Sequence, residues 1–304
     1  MKKSIRKVIN ILIILATLGA AVYFFDTHPK LIVELKNISV GLLLSVLGLY
    51  IVMLGVLVLI LWATLKLANV RLPHRENLLL NSYSVFMNFF IPGQTGPAYR
   101  AYYLNKKYKL KILDYSIATI FYYMFYGLIS ILFLLAGSQP WYYTVGAAVI
   151  MGVLAFVGLK LYLRRFEKKP RLNLSAANIG WLIAVTFAQT CLQTLIYFIE
   201  VRSVDHHVAF HQVITYTGAA NLALFAALTP GAIGIREGFL ILSEKLHHIP
   251  SSVIVVANVI DRSVYIIFLA LVGLFILIIK TRTHFELTLN REEAGDKIID
   301  DQDD

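Results

Sequence analysis

Five charged residues lie inside or beside strongly apolar stretches: Arg100, Arg236 and Arg262, with Glu237 and Asp261. In a membrane interior each such charge costs at least about 2.5–3.5 kcal/mol on insertion scales, so it must pair, bind an ion, or both. Glu237 adjoins Arg236 and Asp261 adjoins Arg262. Helix neighbours point about 100° apart, so neither couple satisfies itself. The expected pairing therefore crosses: Asp261 with Arg236 or Arg100, and Glu237 with Arg262. Three cations against two acids leave one positive charge over, which favours an anionic ligand. Guanidinium groups suit phosphate, which they grip with paired N–H donors. The two carboxylates could also exchange protons as a ligand moves. The competing reading is an ion-pair network that only locks helices together.

What positions these residues is a repeated break. Pro92-Gly93-x-x-Gly96 precedes Arg100, and Pro230-Gly231-x-x-Gly234 precedes Arg236. Proline ends a helix and glycine permits backbone that other residues resist. Irregular backbone at membrane depth survives only in a protein interior or a wet cavity. After each break the chain restarts as a helix, whose first amides add anion-binding donors. On the last apolar run Asn258, Asp261, Arg262 and Tyr265 follow i, i+3, i+4, i+7 spacing and should share an inward face. Asn81, Ser82, Ser84 and Asn88 give the stretch before the first break a polar face suited to a cavity wall.

The composition sets the solvent for all of this. Of 304 residues, 58% are hydrophobic and 15% charged, and mean hydropathy is +0.71. Soluble domains carry about 25% charged residues, so this is a membrane protein. Apolar runs at 8–25, 38–65, 115–135, 141–163, 176–199 and 253–279 are each long enough to cross a bilayer. The first is read as a retained span rather than a cleaved signal. Two shorter stretches, Leu78–Ile91 and Val208–Thr229, run into the breaks and are followed by Pro97–Leu104 and Phe239–Leu246. If both turn back rather than cross, 19 lysines and arginines fall inside and 4 outside. The positive-inside rule strongly prefers that topology, with both termini cytoplasmic. Three spans separate the two hairpins, so they enter from opposite sides, as in inverted-repeat transporters. The predicted fold is an all-α polytopic membrane protein with six full spans and two inverted re-entrant hairpins. One domain covers 1–282, and an acidic tail, 283–304, is solvated.

Other signals are weaker. The net charge of +10 sits in short loops and suits anionic headgroups rather than nucleic acid. Gln189 and Gln193 suit interhelical hydrogen bonds. Tyr115, Tyr122, Tyr123 and Tyr126 read as packing and anchoring residues, with one of them able to line a cavity. His207 and His211 have metal-pair spacing but no fixed third ligand, so they and His247 and His248 read as surface histidines and no metal is expected. Cys191, the single cysteine, reads as a small buried residue. No GxxxxGK[ST] loop and no HExxH motif is present, and no cofactor is expected.

At NFFIPGQTGPAYRAYYL and LTPGAIGIREGF the chain resembles the flippase-like family, which also forms the transmembrane region of lysylphosphatidylglycerol synthases. The resemblance covers roughly residues 5–282. Pro92, Gly93, Gly96 and Arg100 match its first motif, and Pro230, Gly231, Gly234 and Glu237 its second; Arg262 is similarly placed to a family arginine. Pro97 departs from the pattern. The resemblance implies translocation of lipids such as aminoacylated phosphatidylglycerol or polyprenyl-linked sugars between leaflets of the cell membrane, without enzymatic chemistry. Only 25 residues follow the last span, so any aminoacyl transfer is expected to belong to a separate synthase. Expected substrate-site residues are Arg100, Arg236, Arg262, Glu237, Asp261, Asn258, Tyr265 and Asn88. The rival functions are a membrane enzyme or accessory subunit acting on a lipid phosphate, and a non-transporting scaffold.

Overall fold

Serine side chains start two of the longest helices. Ser39 Oγ accepts from Leu42 N at 3.2 Å to open α1 (Val40–Leu67). Ser175 Oγ accepts from Asn178 N at 3.3 Å to open α5 (Ala176–Val204). Each serves an amide that has no partner inside its helix. A computed structural model describes residues 39–90, 95–136, 172–226 and 235–283, with Tyr142, Gly146 and Ile150 as single helical positions. The predicted span 8–25, most of 141–163, the acidic tail and Pro92, Gly93, Pro230, Gly231 and Gly234 fall outside the described residues.

The remaining helices are α2 (His74–Phe90), α3 (Thr95–Tyr108), α4 (Ile112–Ala136), α6 (Phe210–Ala223), α7 (Ile235–Leu242), α8 (Glu244–His247) and α9 (Ser251–Thr283). A 3-10 turn, Leu224–Ala226, extends α6. Asn69, after α1, takes the left-handed conformation at φ 55°, a helix-ending position that asparagine tolerates. Pro97 falls in the first turn of α3, where no intrahelical amide bond is lost. The second post-break segment starts earlier than expected, so that α7 includes Arg236 and Glu237, and it breaks again at Ser243 before α8.

Four described helices, α1, α4, α5 and the Ser251–Ile279 part of α9, are long and apolar enough to cross a membrane. Their large apolar side chains point outward, among them Leu44, Ile51, Phe187, Leu195, Leu271 and Leu274. Polar ones point in: Asn81, Ser82, Ser84, Thr186, Thr190, Thr215, Thr217 and Asn221 are fully buried. A soluble core inverts this pattern. The chain is an all-helical, multi-pass membrane protein.

Two antiparallel helix pairs flank α9. In α2–α3, Asn88 Oδ1 accepts from Gly96 N at 2.7 Å, Ser84 Oγ from Arg100 Nε at 2.7 Å, and Glu76 Oε1 from Tyr103 OH at 2.5 Å. In α6–α7–α8, Tyr216 meets His247 edge-on and Gln212 Nε2 donates to His248 O. Phe86 lies beside Gly273 and Phe89 beside Tyr265, so α2 climbs from the C-terminal end of α9. Asn258 meets Tyr216, and His248 closes the turn before Ser251, so α6–α8 comes from the N-terminal end. The two pairs converge halfway along α9.

Packing explains two glycines. A Cβ at Gly96 would come within 2.7 Å of both Asn88 Oδ1 and Ser84 O, so only glycine lets α3 approach α2. At Gly218 the added carbon would overlap Ser130 O and Leu134 N, the backbone of α4. Helices in lipid gain contact by this kind of close approach.

Candidate functional site

The convergence point holds the buried charges. Asp261 lies about 15 Å along α9 from Ser251, half the thickness of a hydrocarbon core of about 30 Å. Its Oδ2 accepts from Arg236 Nη1 at 2.7 Å. Its Oδ1 accepts from Tyr50 OH on α1. One residue further on each helix, Arg262 Nη2 meets Glu237 Oε1 at 3.0 Å. The crossed pairing expected from the sequence forms, and Asp261 takes Arg236 rather than Arg100. The two bridges make a two-rung clasp between α7 and α9.

Aromatic rings wall the clasp. Arg236 lies over the Tyr197 ring at 4.9 Å from its centroid, a cation–π contact. Tyr197 meets Tyr216 edge-on, and Tyr216 OH accepts from Asn258 Nδ2 at 3.2 Å. Tyr265 packs among Tyr50, Phe89 and Phe268. Of the expected inward face of α9, Asn258, Asp261 and Arg262 are buried and Tyr265 half-buried.

Arg236 is 6% exposed, and its Nε and Nη2 have no partner among the described residues. A guanidinium carries five N–H donors, so most of this one's donor capacity stays unspent. Arg100 stands apart on α3, half-buried, bonded through Nε to the Ser84 hydroxyl, with no carboxylate in ion-pair contact among the described residues. Tyr122 and Tyr123 on α4 lie within its electrostatic reach, and Tyr126, stacked on Tyr122, lies within that of Arg236. A row of tyrosines thus spans the interval between the two arginines.

The structure revises several expectations. Glu200, on the last turns of α5, is 1% exposed and within electrostatic reach of Asp261 and Arg236. The apolar run in the sequence stops at 199, which left this acid outside the count. With it, three acids face the three arginines, so the surplus positive charge disappears from the tally. Asn88 serves the α2–α3 turn through its Oδ1, and Asn81, Ser82 and Ser84 are packed against neighbours, bonding to carbonyls of their own helix. Gln189 does bond across helices, accepting from Tyr122 OH at 3.0 Å. Cys191 is exposed rather than buried, on the outward side of α5.

His247 is buried, whereas His207, His211 and His248 are exposed. Its Nε2 donates to Leu240 O at 3.0 Å and its Nδ1 accepts from Ile249 N at 3.1 Å, so both ring nitrogens are used in the neutral form. Burial holds the imidazole below its ordinary value, with His248 acting the same way and the Leu240 carbonyl and Glu244 opposing. The folded state therefore binds this proton less readily than the unfolded chain does. Stability is complete above the unfolded value of about 6.5 and declines as pH falls below it. Thermal unfolding in detergent should shift down on going from about pH 7.5 to pH 5, and less so in His247→Gln. An identical drop in that variant would assign the effect elsewhere.

A family described as the lysylphosphatidylglycerol synthase TM region matches residues 7–273 of the sequence. No curated protein matches it.

Proposed function

The chain belongs to the family of lysylphosphatidylglycerol synthase transmembrane regions, and from that premise we propose that it moves an anionic phospholipid or polyprenyl-linked lipid between the leaflets of the cell membrane. The headgroup travels through the polar interior while the acyl chains stay in the bilayer. In this reading there are six full spans, both termini are cytoplasmic, and α2–α3 and α6–α8 are the arms of two inverted re-entrant hairpins turning at the PGxxG motifs. The cation asymmetry of the loops and the approach of the two helix pairs from opposite ends of α9 support it.

The observation that carries the proposal is the state of the arginines. Arg236, buried at mid-depth, keeps Nε and Nη2 without a partner among the described residues. Among the described residues Arg100 bonds a hydroxyl, that of Ser84. A guanidinium donates most strongly to a charged oxygen acceptor, and a phosphodiester supplies two. Arg100 and Arg236 are proposed as the phosphate contacts, with Arg262 and Glu237 closing the site and Asn258 and Tyr265 shaping it. No covalent step is assigned; the chain works as a carrier.

The test is mass spectrometry of lipids that co-purify with the protein, wild type against Arg100→Gln/Arg236→Gln/Arg262→Gln. Arg100→Gln alone breaks no ion pair among the described residues and keeps the comparison readable if the triple variant unfolds. Enrichment of one anionic lipid class in the wild type, reduced at least about tenfold in a folded variant, is expected; losing one charge-assisted contact is worth about 1.5–3 kcal/mol. Equal, unselective lipid in all of them would overturn the proposal and leave a scaffold held by its ion pairs.

A further inference from the structure

Glu200 is a buried carboxyl group that the clasp does not use. Its Oε1 has no partner among the described residues. The groups around it come from every neighbouring helix: Tyr50 from α1, Tyr216 from α6, Arg236 from α7, Asp261 from α9 and Tyr197 from its own helix, with Tyr126 of α4 reaching the cluster through Tyr197. The two carboxyl groups differ in kind. Asp261 has both oxygens engaged, one by the Tyr50 hydroxyl and one by Arg236. Oε1 of Glu200 has no such donor among the described residues, and the positive group within its reach is Arg236, which Asp261 already neutralises.

We propose that Glu200 is the proton-carrying residue of the headgroup site, so that an anionic phosphodiester binds beside Arg236 together with one proton taken up on the Glu200 carboxyl. The inference rests on the lipid-carrier reading and adds to it the co-transported ion and the residue that holds it. Without ligand, and on the alkaline side where Glu200 is ionised, it shares the field of Arg236 with Asp261. When a phosphate oxygen takes the Nε and Nη2 donors, a third negative charge enters a site of low dielectric. An unpaired charge there is expelled or neutralised. A proton on either Asp261 oxygen displaces the donor already there, Tyr50 or Arg236, whereas Oε1 of Glu200 can accept it and break nothing. One proton per phosphate leaves the net charge of the cluster unchanged between empty and loaded states. The proton comes from water on the loading side and is released with the headgroup on the other, which lets a pH gradient drive the lipid.

The experiment is calorimetric titration of the full chain in detergent with a short-chain phosphatidylglycerol, between about pH 5.5 and 8, in buffers of different ionisation enthalpy that count protons. On the alkaline side the wild type should take up about one proton per lipid bound and its affinity should fall about tenfold per pH unit, whereas on the acid side both effects vanish. Glu200→Gln should bind as tightly as acid wild type, take up no proton and show a flat profile. Glu200→Asp should restore the slope. Wild-type binding without proton uptake, or a folded Glu200→Gln with the wild-type proton count, overturns the assignment and leaves the carrier reading standing. No binding of the wild type at any pH overturns the phosphate site itself, and the proton proposal with it.

Discussion

Asp261→Ala should destabilise the folded protein by about 3–5 kcal/mol, the range found when one partner of a buried ion pair is removed. The substitution strands two groups at once. Arg236 keeps its charge with no carboxylate in contact, and the Tyr50 hydroxyl loses its acceptor. Neither has water to turn to, because both residues are buried at mid-span. A large fall in thermal midpoint in detergent is the expected reading. Arg236→Met with Asp261→Leu removes both charges and should recover most of that stability, since apolar side chains of similar volume replace buried pairs at little net loss. Stability and function should then part company. The double variant should remain folded yet lose selective lipid enrichment. The same logic applies to the second rung: a scaffold would regain full function when Glu237→Arg is combined with Arg262→Glu, whereas a carrier would regain only folding. An Asp261→Ala protein that unfolds at the wild-type temperature would show that the clasp contributes nothing to the fold.

The second large effect lies away from the charges. Gly218→Ala should prevent α6 from seating against α4. The atoms an added Cβ would meet are Ser130 O, Leu134 N and Leu134 Cα, all backbone, so no side chain can swing aside. Overpacking a core costs about 1–3 kcal/mol when neighbours can adjust, and more when they cannot. Here α6 must move bodily, carrying Tyr216 and its links to Tyr197, His247 and Asn258. The measurement is the monodisperse yield and thermal midpoint of Gly218→Ala beside Gly180→Ala. Gly180 has open space where its Cβ would go and should tolerate the change. Equal behaviour of the two would refute the close-approach argument.

What the sequence disclosed and what it hid divide along a physical line. A charge inside an apolar run must find an opposite charge, and the doublets Arg236–Glu237 and Asp261–Arg262 were reciprocal, so the crossed pairs could be read off. The long apolar helices and the polar stripe of α9 followed from period and length. Glu200 was hidden because it sits where the apolar run ends, and membrane depth at a helix end depends on how far the helix continues; α5 runs on to Val204. Gly218 was hidden because nothing in its neighbours tells which glycine touches a facing backbone. His247 and Cys191 were misplaced for related reasons. A histidine that follows Glu244 and Lys245 and precedes His248 and Pro250 resembles a loop residue until its two ring nitrogens are both bonded, and in a membrane protein an outward position suits an apolar thiol as well as an inward one.

The reciprocal clasp also sets an order of events during synthesis. Arg236 and Glu237 form their ion pairs with Asp261 and Arg262, which leave the ribosome 25 residues later. At about 5–20 residues per second that interval is on the order of one to five seconds. Until then α7 is a short helix whose two ion pairs with α9 are not yet made, a poor candidate for partition into lipid. It must wait at the bilayer surface or inside the insertion machinery until α9 is delivered. Assembly of the second helix pair is therefore post-insertional, and nascent chains truncated before Asp261 should expose α7 to proteases that the full-length protein escapes.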